Sequence, residues 1–429
     1  MRKILQKILK TLTKLVLKKY KPIVIAITGS VGKTSTKEAI YHVLKSHFGE
    51  KEVRRNQRNY NNEIGVPLTV FGLETAGRSI FGWLNKFIKI FWMIIFKVPY
   101  PGFLVLEMGA DRPGDIKYLT DFVHPKVGVI TALGEIPVHV EFFENPQQVA
   151  KEKRNLIVCL QEDEIAVLNY DDEAIRQLGE GIRAKISTYG LKDKADVRAT
   201  NYDLKVSPST ALGTSELNFK LEFMGSTVPA KLYNVLGFQH LYSALAATAV
   251  GIIFNVNLVE ISEALKEFQP LPGRMHLIKG IKNSLIIDDS YNAALLSVEA
   301  ALDSLEIFGN NSSVGKQGRK IVVLGDMLEI GEYAPEAHRR VGRKAAAIAD
   351  LIFIVGPRAK FIAEAAIKYG FDEKKIFQFD VSDDAGKKVQ EELKEGDIVL
   401  IKGSRAMKME KIIKEIMAEP ERAKELLVG

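Results

Sequence analysis

Short apolar runs, each closed off by Gly, Pro, Asp or Lys, recur along most of the chain: 22–27, 103–106, 127–131, 164–168, 284–287, 321–324, 351–355 and 398–401. Runs of this length and composition read as parallel strands buried on both faces. Between them, 37–46, 241–251 and 336–349 repeat apolar residues at three- and four-residue spacing, which predicts helices. Strands alternating with helices make an α/β chain with mostly parallel sheets. Residues 196–234 differ, because Leu217-Asn218-Phe219-Lys220-Leu221-Glu222-Phe223 alternates with period two and predicts a small antiparallel patch. Gln269-Pro270-Leu271-Pro272-Gly273 breaks the pattern before a second strand–helix series begins, dividing 22–270 from 271–429. The polar stretch 309–320 reads as a surface loop of the second unit, and no internal repeat is present.

Two segments stand apart. Residues 1–21 place Ile4, Leu5, Ile8, Leu9, Leu12, Leu15 and Val16 at helical spacing with lysines between them. Two readings stay open: a basic helix lying on an anionic membrane surface, or one packed on the protein with its lysines in water. Residues 80–98 hold both tryptophans, Trp83 and Trp92, and four phenylalanines, interrupted by Lys86, Lys89 and Lys97. This composition suits a bilayer interface and equally a core helix with lysines at its rim. Neither segment approaches the 18 or so apolar residues of a spanning helix.

Composition narrows the class. At 429 residues the chain holds two or three domains of about 150 residues. It is 46% hydrophobic and 26% charged, so it is able to bury real cores. The one cysteine, Cys159, excludes an intramolecular disulfide and a multi-cysteine metal site, and fits a cytoplasmic compartment. The net charge of +7 belongs to the tail, since residues 1–21 carry eight basic residues and no acid. The remainder is nearly neutral, which argues against nucleic acid as a partner.

The sharpest motif is Ile27-Thr28-Gly29-Ser30-Val31-Gly32-Lys33-Thr34-Ser35, directly after an apolar run and before a helix. Glycines let backbone N–H groups close around phosphate oxygens, and the helix N-terminus adds partial positive charge. Lys33 is placed to reach the terminal phosphates of ATP, and the Thr34 hydroxyl to bind Mg²⁺. The spacing departs from the usual G-x-x-x-x-G-K, because only two residues separate Gly29 from Gly32. Glu107, at the end of the run Leu104-Val105-Leu106, stands where a Mg²⁺ ligand facing such a loop is expected.

Taken in order, TGSVGKTST (28–36), NYNNEIGVPLT (59–69), LEMGADRPGDI (106–116), ITALGEIPVHVEFF (130–143), PGRM (272–275), IIDDSYNA (286–293), VLGDMLEIGE (323–332) and VLIKGSR (399–405) resemble the Mur ligase family. Within it they are most like the type that adds D-alanyl-D-alanine to a UDP-muramoyl tripeptide. The resemblance implies a P-loop ATPase domain followed by a Rossmann-like domain. It also implies transfer of the ATP γ-phosphate to a substrate carboxylate, then displacement of phosphate by an amine. Carried over by motif, Thr34 and Glu107 hold one Mg²⁺, while His139 and a carbamylated Lys153 serve a second. Lys151 lies two residues from Lys153 and leaves that assignment open. Arg274, Asp289, Tyr291 and Asn292 close over the nucleotide. Asn61, Asn62, Lys402, Ser404 and Arg405 are assigned to the substrates.

The chain departs from the family at several places. The family's adenine-side asparagine is Ser243 here, its histidine is Gln239, and the Asn-Pro after SYNA is Ala294-Leu295. Only the basic tail precedes the first strand where relatives carry a UDP-sugar domain, which leaves the carboxylate and amine substrates open. A folylpolyglutamate- or cyanophycin-type ligase, a P-loop kinase and an inactive membrane-bound scaffold therefore remain alternatives. The expected partners are a small-molecule or membrane-linked peptidoglycan precursor and a dipeptide or amino acid.

Overall fold

The computed structural model describes residues 2–57, 60–207, 214–311 and 318–428. Nine strands form the first sheet: β1 (Ile23–Thr28), β2 (Val53–Arg55), β3 (Phe103–Glu107), β4 (Val127–Ile130), β5 (Ile165–Asn169), β6 (Lys185–Gly190), β7 (Val197–Ser207), β8 (Thr214–Phe223) and β9 (Ser226–Tyr233). Their order is β2-β3-β1-β4-β5-β6-β7-β8-β9. Pairing is parallel from β2 through β7 and antiparallel from β7 to β9. The period-two stretch read from sequence is that antiparallel extension.

Alternation explains how the sheet is covered. On β1, Ile25 and Ile27 face one cluster, shared with the helices Lys33–Phe48 and Gln239–Ile253. Val24 and Ala26 face the other cluster, shared with the helices Arg2–Tyr20 and Ile80–Ile95. Both faces are apolar, as a parallel strand between helical layers requires.

The second sheet holds β10 (His276–Lys279), β11 (Leu285–Asp289), β12 (Lys320–Gly325), β13 (Leu351–Val355), β14 (Ile376–Phe379) and β15 (Ile398–Lys402). Its order is β10-β11-β15-β12-β13-β14, parallel apart from β10. Leu285 and Ile287 point to one core cluster and Ile286 to the other. Strands β2, β6, β10 and β14 were not legible in the sequence, because each is short or half-exposed and lacks a full apolar run. The helix Leu295–Asn311 runs into the stretch read as a polar loop, and 312–317 lie outside the described residues, as does Asn59 of the NYNN motif.

The tail is a helix packed on the protein through Leu9, Leu12, Thr13 and Val16. Its Lys10 pairs with Asp121 at 2.5 Å, and its Arg2 with Glu63 at 2.9 Å. The aromatic segment matches neither reading completely. Ile90 is fully buried, while much of the opposite side of the helix stands in water. Among the described residues no helix is long and apolar enough to cross a membrane.

Candidate functional site

Strand β1 lies between β3 and β4, so connections leave it toward opposite sides and a crevice opens at its C-terminal end. The loop after β1 enters the helix Lys33–Phe48 through Gly32, whose φ of +85° is a left-handed conformation suited to glycine. Gly29 is required for space as well, since a Cβ there meets the Thr131 Oγ1 at 2.0 Å. The first N–H groups of that helix have no carbonyl partner within it and face the crevice. The Ser30 hydroxyl is buried without a partner among the described residues.

This crevice is one wall of a cleft of about 1040 Å³ between the two sheets. Ser30, Val31, Gly32, Lys33, Thr34, Ser35, Asn61, Glu107 and His139 line it from the first half; Arg274, Asp289, Tyr291, Asn292 and Lys402 line it from the second. Thr34 is the junction. Its hydroxyl donates to Glu107 Oε2 at 2.9 Å and accepts from Arg274 Nη2 at 2.9 Å. The Arg274 guanidinium lies 4.2 Å from the Tyr291 ring centre, which fixes its plane.

Glu107 is buried and held from several sides. Asn61 Nδ2 donates to its Oε1 at 3.0 Å, and its own backbone N–H donates to Asn56 Oδ1 at 2.5 Å. Burial raises its pKa, but Lys37, Lys33 and Arg274 together outweigh burial and keep the carboxyl below its usual range. It is a carboxylate. Lys33 is folded back, with Nζ donating to the Gly29 carbonyl at 2.8 Å. Burial draws this ammonium below the ordinary lysine range, against the attraction of Glu107.

Lys153 lies on the helix Pro146–Val158, 1% exposed, with no hydrogen bond or ion pair among the described residues. Burial lowers its pKa to about 7, and repulsion from Lys33 acts in the same direction. Lys151 is exposed on the same helix. His139 takes a left-handed φ of +70°, which sets its ring between two carboxylates. Its Nδ1 is 2.7 Å from Glu329 Oε2 in the second half, and its Nε2 is 3.4 Å from Asp111 Oδ1.

In the second half, Asp289 at the end of β11 meets Lys402 at the end of β15, with 2.5 Å between Oδ2 and Nζ. Lys402 also donates to the Asn292 carbonyl at 2.9 Å. Beside it, burial raises Asp288 to about 6, although Gly273 N and the Ser290 N and Oγ donate to it.

The sequence-assigned substrate residues divide. Asn61 touches Glu107, whereas Asn62 accepts from the N–H groups of Ile64 and Gly65 at the start of the helix Gly65–Phe71, off the cleft wall. Lys402 faces Asp289, the Ser404 hydroxyl accepts from Leu328 N at 2.8 Å, and Arg405 lies 3.0 Å from Glu410. Sequence reasoning missed Asn56, Lys37, Asp111 and Glu329 as parts of the site. Asp111 and Glu329 stood inside motifs quoted above, but nothing in those motifs says which side chain faces which. Among the described residues no three His, Cys, Asp or Glu side chains converge as a ready-made metal cluster.

Comparison with known proteins accords with this geometry. A model of the Mur ligase middle domain matches residues 27–81 and 96–250, and one of the Mur ligase glutamate ligase domain matches 273–405. The UDP-N-acetylmuramoyl-tripeptide--D-alanyl-D-alanine ligase of Bacillus subtilis is 31% identical over 92% of this chain and 76% of its own length. Among solved structures, MurF ligase from Thermotoga maritima in complex with ADP is 25% identical with a TM-score of 0.76, covering 98% of this chain and 84% of that one. MurF from Acinetobacter baumannii superimposes with a TM-score of 0.75 at 25% identity, over 95% and 79% of the two chains. A relative this similar, matched across both sheets and the cleft between them, settles the family: the chain belongs to the Mur ligases, ATP-dependent enzymes that form C–N bonds.

Proposed function

We propose that this enzyme joins D-alanyl-D-alanine, or a similar amine, to the terminal carboxylate of a UDP-muramoyl tripeptide in peptidoglycan synthesis. The observation that carries the reading is the Glu107–Thr34–Arg274 chain. It sets a carboxylate, a hydroxyl and a guanidinium at the mouth of a phosphate loop, across the seam between the two halves. The matching division of the chain is 1–21, 22–270 and 271–429.

In this reading the carboxylate oxygen attacks the γ-phosphorus of ATP, and ADP leaves with the electrons of the broken P–O bond. The amine nitrogen then attacks the acyl carbon and sheds a proton, and inorganic phosphate departs. ATP and the carboxylate repel each other, so several cations must converge on one small volume. The loop N–H groups and Lys33 receive the β- and γ-phosphates, and Arg274 closes from the second half. Asp289, Tyr291 and Asn292 orient Arg274 and the nucleotide.

Mg²⁺ fits this site: Thr34 and Glu107 offer the hydroxyl and single carboxylate that this ion commonly takes alongside phosphate oxygens. When bound it neutralises developing phosphate charge. His139 and Lys153 belong to a second such position, with Lys153 carbamylated. A buried, partnerless lysine whose neutral form is accessible is suited to combine with CO₂, whereas exposed Lys151 is not. Lys153→Ala should lose activity and regain part of it with formate, and Lys151→Ala should not. The location that goes with this chemistry is the cytoplasm, in contact with the inner membrane face through 1–21 and 80–98.

The deciding experiment measures ADP release with UDP-muramoyl tripeptide and D-Ala-D-Ala, together and singly. Release that needs both, with a new amide in the product, is expected. Release with one alone, or none with the pair, ends this assignment of substrates.

A further inference from the structure

The aromatic helix Ile80–Ile95 carries two apolar stripes on opposite sides. Trp83, Phe87, Ile90 and Ile94 turn inward to the cluster they share with β1 and β3. Phe81, Leu84, Ile88, Trp92 and Ile95 stand in water, from 56% exposed at Trp92 to 85% at Phe81. A helix apolar on both sides is ordinarily covered on both, and an exposed patch of this kind marks an interaction surface. The family's middle-domain match stops at residue 81 and resumes at 96, so the helix is additional to the shared chemistry.

The stretch of chain around it carries charge of one sign. Residues 75–102 contain Arg78, Lys86, Lys89 and Lys97 and no acid. The N-terminal helix is fastened to the end of the aromatic helix: Lys19 Nζ donates to the carbonyls of Met93, Ile94 and Phe96 at 2.9, 3.0 and 2.6 Å, and the Tyr20 hydroxyl donates to that of Met93 at 2.9 Å. On its own outer side, exposed Ile4, Ile8 and Leu15 alternate with Lys7 and Lys18.

We propose that this fastened pair of helices is a docking surface for an anionic lipid bilayer. The outer stripe of the aromatic helix enters the boundary between headgroups and acyl chains, and the surrounding lysines meet lipid phosphates. A second copy of the chain is a poorer occupant, because a two-fold contact brings two basic collars together, and Glu63 and Asp121 beside the N-terminal helix already pair with its Arg2 and Lys10. The inference is independent of which carboxylate the enzyme uses.

Flotation of the full chain with vesicles tests it, using phosphatidylcholine alone and phosphatidylcholine with about one-third phosphatidylglycerol. The protein should float with the anionic vesicles only and be released near 1 M salt, where the Debye length is about 3 Å. The exposed triple variant Phe81→Ser/Ile88→Ser/Trp92→Ser should lower the partition by about tenfold or more. Its ADP release in solution should match wild type, which also reports that it folds. In Trp83→Phe, the remaining Trp92 fluorescence should shift to the blue on binding. Equal recovery in the unbound fraction with and without anionic vesicles overturns the proposal, as does undiminished binding by the triple variant. A wild-type dimer that the triple variant converts to monomer assigns the face to a second copy instead.

Discussion

The C-terminal edges of the two parallel sheets meet at one cleft, yet they are finished differently. At the edge of β1, β3 and β4, a glycine turn, a helix N-terminus and a Ser30 hydroxyl with no partner among the described residues border the cleft, beside a Glu107 carboxylate held by Thr34 and Asn61. At the edge of β11 and β15, Asp289 and Lys402 satisfy each other at 2.5 Å inside the protein. The first edge has polar groups that an anionic ligand completes. The second is complete within the fold and reaches the ligand through Arg274. A charge at a strand end is therefore a poor guide to function until its partner is known.

The contrast can be broken from the first edge with the largest effect. Lys33→Ala should slow ADP release by roughly 10³-fold or more, the scale on which a cation serves a transferring phosphoryl group. Its melting temperature should change little, because the ammonium it loses contacts only loop carbonyls. Near-normal turnover removes the phosphate assignment of this edge.

Lys153 sharpens the comparison through pH. Its folded pKa of about 7 lies below the ordinary 10.5, so the folded state resists the charged form. Wild-type stability relative to Lys153→Met should be equal at high pH, fall as pH drops from 10.5 toward 7, and level off below. The full gap, on the order of 5 kcal/mol, is read by denaturant titration in CO₂-depleted buffer. A gap that does not change with pH contradicts a buried, unpaired ammonium.

At the second edge, Lys402→Met leaves Asp289 buried and unpaired, a loss of about 3 kcal/mol of stability. A variant as stable as wild type shows that the pair is open to solvent and frees Lys402 for a substrate. The smallest effect is expected for Arg274→Lys, which keeps charge but loses the planar fork that spans Thr34 and the Tyr291 face. We expect about a tenfold fall in kcat/KM, with stability unchanged. Equal kinetics limits Arg274 to a point charge.

The phosphate loop was legible because its strand, glycines, lysine and threonine lie within twelve successive residues, 23–34, where local geometry decides the outcome. The buried parallel strands were legible for a similar reason, since each is apolar throughout. Asn56 and Glu329 were not. Asn56 gains its role by supporting the backbone of Glu107 across the sheet, and Glu329 by meeting His139 from the other half. The aromatic helix shows the limit most clearly. Its sequence contains two apolar stripes, and only packing decides that Ile90 turns inward while Ile88 faces water.

The bonds from Lys19 to Met93, Ile94 and Phe96 join positions 74 to 77 residues apart. The helix Arg2–Tyr20 is made before its packing partners, and its inner stripe of Leu9, Leu12 and Val16 lacks most of its cluster until residues through Phe122 have been made. At about 5–20 residues per second, that wait is roughly 5–20 s. During it, the eight basic residues and absence of acid in 1–21 give the emerging chain a repulsive charge that discourages association between nascent chains. A tail stripped of those lysines is thus expected to lower soluble yield during synthesis more than it lowers the stability of the finished protein.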